Sequence, residues 1–229
     1  MKALLLSGGM GKRLRPITDY LPKSLVPIDN TPIIEWQIRY FKKFGIREFV
    51  ICAGYRADQI THYLDSKNLG VEIEYSIEKT PLGTGGAIKN AQHYLDVDSF
   101  FVINGDVITS LDINKLKIYR NSIAVIPLRT SFGLVHLNDN KVQKFEEKPE
   151  IFDHWMNAGV YHLSSNILKY LPRIGNIEGT TFPTLSKNGS LNAIQYTGVF
   201  WHSIDSHKDI EECNIGMKAL RYRRFLAVK

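Results

Sequence analysis

The chain has 229 residues, 44% of them hydrophobic and 23% charged, with a formal net charge of +6. This composition excludes a disordered or fibrous chain and suits a sizeable α/β core. The two cysteines, Cys52 and Cys213, lie far apart without CxxC or Cys/His spacing, and no apolar run reaches bilayer length, so disulfide frameworks, zinc sites and membrane spans are not expected. The start, Met1 to Ser7, is too short for a signal peptide, and a soluble cytoplasmic protein without a membrane partner is expected. Most cations are scattered through amphipathic segments. Only Arg221, Arg223, Arg224 and Lys229 cluster, which reads as a solvated helix end rather than a nucleic-acid patch.

Lys2 to Ser7 is a strand-length apolar run that stops at Gly8-Gly9-Met10-Gly11 and delivers Lys12 and Arg13, with Pro22-Lys23 following. Glycines at a strand end remove the Cβ atoms that would keep an anion from backbone N–H groups, and Lys12, Arg13 and Lys23 can neutralise its charge. A Walker A loop would need glycine where Leu6 stands, and a dinucleotide fingerprint would need it where Leu14 stands. Taken alone, the loop is equally an ordinary strand-to-helix turn with solvated cations.

Asn30-Thr31-Pro32 opens a helix that runs to about Phe44 and stops at Gly45. Glu48 to Ala53 reads as strand, Ala57 to Leu64 as helix, Val71 to Ile77 as strand, Gly83 to Tyr94 as helix and Phe100 to Ile103 as strand. This alternation predicts a parallel sheet with helices on both faces, and ligands in such sheets sit at the carboxyl ends of strands. Ser7 to Arg13, Glu78 to Thr84 and Asp106 fall at such ends. From about Asn121 shorter strands follow: Ile123 to Leu128, Phe132 to Leu137, Val142 to Phe145, Val160 to Leu163 and Ala193 to Phe200. Pro172 to Gly189 reads as looser turns with a short helix, and Asp209 to Tyr222 as a closing helix. No linker or repeat divides residues 1–229, so one domain is expected, with its halves meeting near residue 110.

Three constellations carry chemistry. Asp106 ends an apolar strand, where a carboxylate can hold a divalent cation against phosphates, or can merely cap the segment starting near Leu111. Glu146-Glu147-Lys148-Pro149 offers a carboxylate and an ammonium to a hydroxylated, phosphorylated acceptor, or is a solvated charge run. Pro81-Leu82-Gly83-Thr84-Gly85-Gly86 opens a helix with three glycines, against which a flat base could lie.

In order along the chain, Gly8-Gly9-x-Gly11-x-Arg13-Leu14-Arg15-Pro16 with Thr18 and Pro22-Lys23, the Pro81-to-Gly86 motif, Asn104-Gly105-Asp106, Glu147-Lys148-Pro149, Asn157-Ala158-Gly159-Val160-Tyr161 and Trp201 resemble the sugar-1-phosphate nucleotidyltransferases. The resemblance implies a single α/β domain: a Rossmann-like mixed sheet, mainly parallel, flanked by helices, with a nucleotide half and a sugar-phosphate half. It implies that a sugar 1-phosphate attacks the α-phosphorus of a nucleoside triphosphate and releases pyrophosphate, with Mg2+ as cofactor. Arg13, Lys23, Asp106 and Lys148 are then the expected catalytic residues. Leu6, Gly8, Gly9, Gly11, Lys12, Arg13, Glu78, Pro81, Gly83 and Thr84 would bind the nucleotide. Gly105, Glu147, Lys148, Asn157 and Gly159 would bind the sugar phosphate. Relatives commonly form oligomers, so a homo-oligomer is within expectation.

One departure concerns the metal. The commonest family pattern near the end is Trp-x-Asp-x-Gly, whereas this chain reads Trp201-His202-Ser203-Ile204-Asp205. A shift of two along an extended chain keeps the same face, so Asp205 is the expected second ligand beside Asp106, rather than Asp209, which reads as a helix-start residue. A weakened or lost second ligand is the alternative. Glu78 lies where relatives using thymine or uracil often carry glutamine. A carboxylate only accepts hydrogen bonds, and guanine presents two adjacent donors, so GTP is favoured and the stretch Ser76 to Gly86 resembles guanylyltransferases acting on mannose or heptose 1-phosphates. Uridylyl, thymidylyl or cytidylyl transfer to glucose 1-phosphate, a non-catalytic nucleotide-sugar sensor, and a glycosyltransferase stay open as alternatives. The C-terminal β-helix domain of longer relatives is not expected.

Overall fold

Strand periodicity and burial coincide along the first half of the chain. The computed structural model describes residues 1–130, 132–219, 222 and 226. Strands β1 (Lys2–Ser7), β2 (Glu48–Ala53), β3 (Glu72–Ile77) and β4 (Ser99–Asn104) pair in parallel, β4-β1-β2-β3, with Leu5 opposite Ile51 and Ile103. The three inner strands are near-continuous apolar runs because helices cover both sheet faces. Ala3 and Leu5 pack in one core cluster with Ile34, Ile38 and Phe41 of helix α1 (Ile33–Lys43). Leu4 packs in another with Ala87 and Ile88 on the far side. The period-two alternation of a strand divides its residues in this way. Helix α2 (Ala57–Asp65) adds Ile60 and Leu64 to the first cluster, and helix α3 (Gly83–Asn90) supplies Ala87 and Ile88 to the second.

After the short strand β5 (Val107–Thr109), strand β6 (Ser122–Arg129) leads into a hairpin, β7 (Leu134–Asn138) with β8 (Lys141–Glu146), and then into β9 (Glu150–Ser164). Helix α4 (Thr181–Lys187), strands β10 (Asn192–Gln195) and β11 (Trp201–Ser203), and helix α5 (His207–Lys218) follow. Among the described residues seven strands form one sheet, β10-β6-β9-β4-β1-β2-β3, in which β9 alone runs antiparallel to its neighbours. The sheet is therefore mixed and mainly parallel, as expected.

Several boundaries differ from the sequence reading. The stretch Val160 to Leu163 is the far end of a 15-residue strand whose pairing with β6 shifts register twice. Of the strand expected over Ala193 to Phe200 only the first part is regular: β10 ends at Gln195, Gly198 adopts φ +65° and takes the chain out of the extended region, and pairing resumes only at Trp201, beyond the expected range. The helix from Gly83 is regular only to Asn90, with a 3-10 turn over Gln92–Tyr94. The closing helix begins with a capping box in which Ser206 Oγ accepts from the Asp209 N–H and the Asp209 carboxylate accepts from the Ser206 N–H. Asp209 is thus the helix-start residue it was read as. That helix is regular to Lys218, and the basic residues Arg221, Arg223, Arg224 and Lys229 lie outside the described residues. Among the described residues no helix is long and apolar enough to cross a membrane.

Candidate active site

The carboxyl ends of β1, β3 and β4 open onto one cavity of about 450 Å3. Its wall takes Leu6 to Gly9, Gly11 to Leu14, Lys23 and Ser24 from the first loop, and Glu78, Pro81, Gly83 and Thr84 from the second. Asn104, Gly105 and Asp106 come from the third, and Asn176 and Asp205 from the far half of the chain. Every nucleotide-binding residue anticipated from the sequence is on this wall, although Arg13 and Glu78 lie 65 positions apart in the chain. The loops converge because parallel strands place their carboxyl ends on one edge of the sheet.

Gly105 makes this convergence possible. A Cβ there would sit 2.1 Å from the Leu6 carbonyl oxygen, so only glycine lets the β4 exit cross the β1 exit. Gly105→Ala is expected to destabilise the fold by about 1–3 kcal/mol, lowering Tm by ~2–4 °C for each kcal/mol. A melting curve equal to wild type would show that the two exits can separate freely.

The charged centre is built on Lys23. Its ammonium, only 15% exposed, donates to Asp106 Oδ2 at 2.8 Å and to Asp205 Oδ1 at 2.7 Å. Arg13, 76% exposed, donates to the same Asp205 oxygen at 2.7 Å. Ser203, at the position where the common family pattern has its aspartate, donates to Asp205 Oδ2 at 3.1 Å. Burial pushes the Asp205 pKa up, but the hydrogen bond and charge of Lys23, the charge of Arg13 and the Ser203 hydroxyl outweigh it and hold the carboxyl below its ordinary range. Asp205 is delivered by its buried neighbour Ile204, which donates its N–H to the Asp106 carbonyl and packs its side chain in the cluster that holds Leu14, Cys213 and Met217. Asp106 does not cap the next helical segment. Asp112 does, accepting from the Asn114 N–H.

Two carboxylates gathered on one ammonium nitrogen bring together hard oxygen donors, the ligand type that suits Mg2+. Among the described residues no cluster of three or more His, Cys, Asp or Glu side chains is placed to hold a metal. Such an ion would therefore complete its shell with phosphate oxygens and water, as Mg2+ commonly does.

Glu78 lies against the glycine loop. A Cβ on Gly8 would come within 2.7 Å of its Oε1, while its Oε2 accepts the Leu82 N–H at 3.1 Å. Half-buried, its carboxyl is raised above the ordinary range by desolvation, an effect partly offset by that N–H. The Pro81-to-Gly86 loop rests on residues 175–178. Asn176 Oδ1 accepts from the Thr84 N–H at 3.2 Å, and the Thr84 hydroxyl donates to Glu178 at 2.6 Å. Glu178 also accepts from Tyr161, which accepts from Asn157 at 2.8 Å, so the Pro81-to-Gly86 loop and β9 share one hydrogen-bond chain.

The expected acceptor residues divide into two groups. Asn157 Oδ1 accepts the Gly159 N–H at 3.0 Å, and Gly159 packs on Asn104, placing both beside the cavity. Glu147 and Lys148 are exposed in the turn after β8, outside the cavity wall, with Lys148 at φ +47°. The sequence reading missed Ser7, Ser24, Asn104 and Asn176 as wall residues. The side-chain oxygens Ser7 Oγ, Ser24 Oγ and Asn104 Oδ1 are buried with no hydrogen-bond partner among the described residues. Asn104 belongs to the quoted motif Asn104-Gly105-Asp106 and Ser24 follows Pro22-Lys23, which was the signal for them. Asn176 had none.

A family model described as nucleotidyl transferase matches residues 2–215. The chain belongs to the nucleotidyl transferase family. Within that family it is 34% identical over 226 residues to a mannose-1-phosphate guanyltransferase of Aspergillus oryzae, covering 91% of this chain and 62% of the relative. It is 36% identical over 172 residues to the D-glycero-alpha-D-manno-heptose 1-phosphate guanylyltransferase of Campylobacter jejuni, covering 73% and 77%. Its fold is similar to that of HddC from Yersinia pseudotuberculosis, with TM-score 0.76, 27% identity and coverage of 94% and 99%. A second structure of that protein, complexed with GMP-PN, gives TM-score 0.75 and 26% identity, again covering 94% and 99%. The chain thus spans less than two thirds of the fungal relative's length. In this nucleotidyl transferase the glycine loop after β1, the cations Arg13 and Lys23 and the carboxylates Asp106 and Asp205 meet at one cavity.

Proposed function

We propose that this nucleotidyl transferase is a guanylyltransferase, converting GTP and mannose 1-phosphate or a related sugar 1-phosphate into a GDP-sugar and pyrophosphate. The observation that carries the reading is the single cavity in which the Glu78 carboxylate shares a wall with Lys23, Asp106 and Asp205. The guanylyltransferase names of the relatives above support it, as does the HddC structure complexed with GMP-PN.

The attacking phosphate is already an anion, so no side-chain base is needed, and the work is positioning and electrostatics. Arg13 and Lys23 stabilise charge on the α-phosphate and the departing pyrophosphate. Glu78, with one oxygen steadied by the Leu82 N–H, accepts from the adjacent N1–H and 2-amino donors of guanine. Lys148 orients the sugar's phosphate, while Glu147, Asn157 and Gly159 take its hydroxyls. Mg2+ held by Asp106 and Asp205 would neutralise charge on the phosphates. Two buried free thiols, Cys52 and Cys213, suit a reducing cytoplasmic compartment.

The test is a matrix of five nucleoside triphosphates against several sugar 1-phosphates with Mg2+, scored by pyrophosphate release. GTP with mannose or heptose 1-phosphate is expected to give the highest rate. Silence in every well, with nucleotide sugars still raising Tm, would identify a sensor instead.

A further inference from the structure

Helix α1 carries a glutamine where its contacts are apolar. Ile34, Ile38 and Phe41 pack in one core cluster and Ile33 and Trp36 in another, yet Gln37, between them, is only 1% exposed. Its Nε2 donates to the Asn104 carbonyl at 2.8 Å and to the Val107 carbonyl at 2.9 Å. An amide nitrogen has two hydrogens, so both are used. The amide oxygen, Oε1, is buried with no hydrogen-bond partner among the described residues. An apolar side chain of similar size would spare the core that orphaned oxygen, so what distinguishes glutamine here is the pair of carbonyls it holds.

Those two carbonyls bracket the turn between β4 and β5. Between them stand Gly105, whose missing Cβ lets the turn cross the Leu6 carbonyl, and Asp106, whose carboxylate receives Lys23 at 2.8 Å. The Ile204 N–H holds the carbonyl of Asp106 itself. Three of the four carbonyls from 104 to 107 are thus held from other parts of the chain, two of them by one side chain of α1. We propose that Gln37 is a positioning residue for nucleotidyl transfer. It fixes the Asn104–Val107 turn so that Asp106, and through it the Lys23 ammonium, stands in place before substrate arrives. Gln37 is absent from the cavity wall, so it acts through Asp106 rather than on the substrates. A turn released from α1 would tilt at Gly105, where the backbone offers least resistance, and would carry Asp106 with it. A displacement of about 1 Å in a positioned site can cost roughly 100-fold in rate.

This role rests on the reaction proposed above, so part of its test is independent of turnover. Gln37→Met keeps the length of the side chain and removes both donors. Tyr40→Phe is the matched control: nearly one turn further along α1, the Tyr40 hydroxyl donates to the Leu111 carbonyl at 2.8 Å, beyond the turn that carries Asp106. Each variant should lower Tm by roughly 2–8 °C. Only Gln37→Met should lower kcat for pyrophosphate release, by about tenfold or more, with a smaller change in the KM for GTP. Amide exchange at residues 104–107 should quicken in Gln37→Met relative to β2 and keep its wild-type rate in Tyr40→Phe. In the wild-type protein the two Nε2 protons of Gln37 should exchange slowly with solvent and shift when Mg2+ and GTP are added. An unchanged kcat in Gln37→Met overturns the inference, as does an equal loss in Tyr40→Phe, which would make the effect one of helix packing alone. Unchanged exchange at 104–107 overturns it without reference to turnover. A wild-type chain that releases no pyrophosphate, while exchange at 104–107 still quickens in Gln37→Met, would overturn the reaction instead. If Gln37→Met does not fold, the side-chain protons decide, and rapid exchange or the lack of a shift overturns the role.

Discussion

Lys23→Met is expected to lower the rate of pyrophosphate release by roughly 100-fold or more, about 2.7 kcal/mol of transition-state stabilisation. Lys23 is the least exposed cation of the site and lies between Asp106 and Asp205, so its ammonium is fixed before any substrate arrives. A cation held in place stabilises developing phosphate charge without reorganising. Methionine keeps the length and apolar stem but removes the charge, so the loss should fall on kcat more than on the KM for the sugar phosphate. An unchanged rate would show that Lys23 takes no part in the transition state. Arg13→Ala should follow the same direction, since Arg13 shares the Asp205 oxygen.

The substitution has a second signature in stability. Lys23 and Arg13 hold the folded pKa of Asp205 below its ordinary value, so the ionised carboxylate contributes stability above the unfolded pKa that is lost as pH falls through the folded one. The Tm difference between wild type and Lys23→Met should therefore be full at neutral pH and should narrow in acid. A difference that grew in acid would assign Asp205 the opposite shift.

Glu78→Gln is expected to cost about 10- to 100-fold in kcat/KM for GTP, the size of a hydrogen bond to a charged group, and to raise the use of UTP or dTTP. An amide presents both a donor and an acceptor, which matches the uracil or thymine edge, where a carboxylate meets one N–H donor flanked by repelling carbonyls. The pH profile gives an independent check. Burial raises the Glu78 pKa, so the wild-type rate with GTP should fall as pH drops through that raised value, when protonation removes an acceptor, and the glutamine variant should lack this limb. Base selectivity that survives the substitution would sink the argument for Glu78.

The alternation of apolar runs with helical periods was legible, because the inner strands are buried on both faces and must be apolar throughout. The first and second loops were legible as well, since glycine and cation spacing is local chemistry. The breaks were less so. Gly198 ended a strand that composition would have continued, and the register shifts of β9 leave no mark in a pattern of period two. Lys148 was named with the site on its motif, yet it stands in an exposed turn outside the cavity wall, because a strand end says nothing of where the following turn points.

By itself the sequence determined the family's motifs, the parallel half of the sheet and the edge on which the loops must gather. These follow from short-range rules: side-chain alternation, helix period and the room that glycine leaves. Only the tertiary structure decided that Asp205, 182 residues from Lys23, meets the same ammonium as Asp106 while Ser203 steadies it. It alone brought Glu78 onto Gly8 and Gln37 onto the Asn104–Val107 turn. Such contacts depend on how buried elements such as Ile204 dock, which is not encoded at the spacing of a motif.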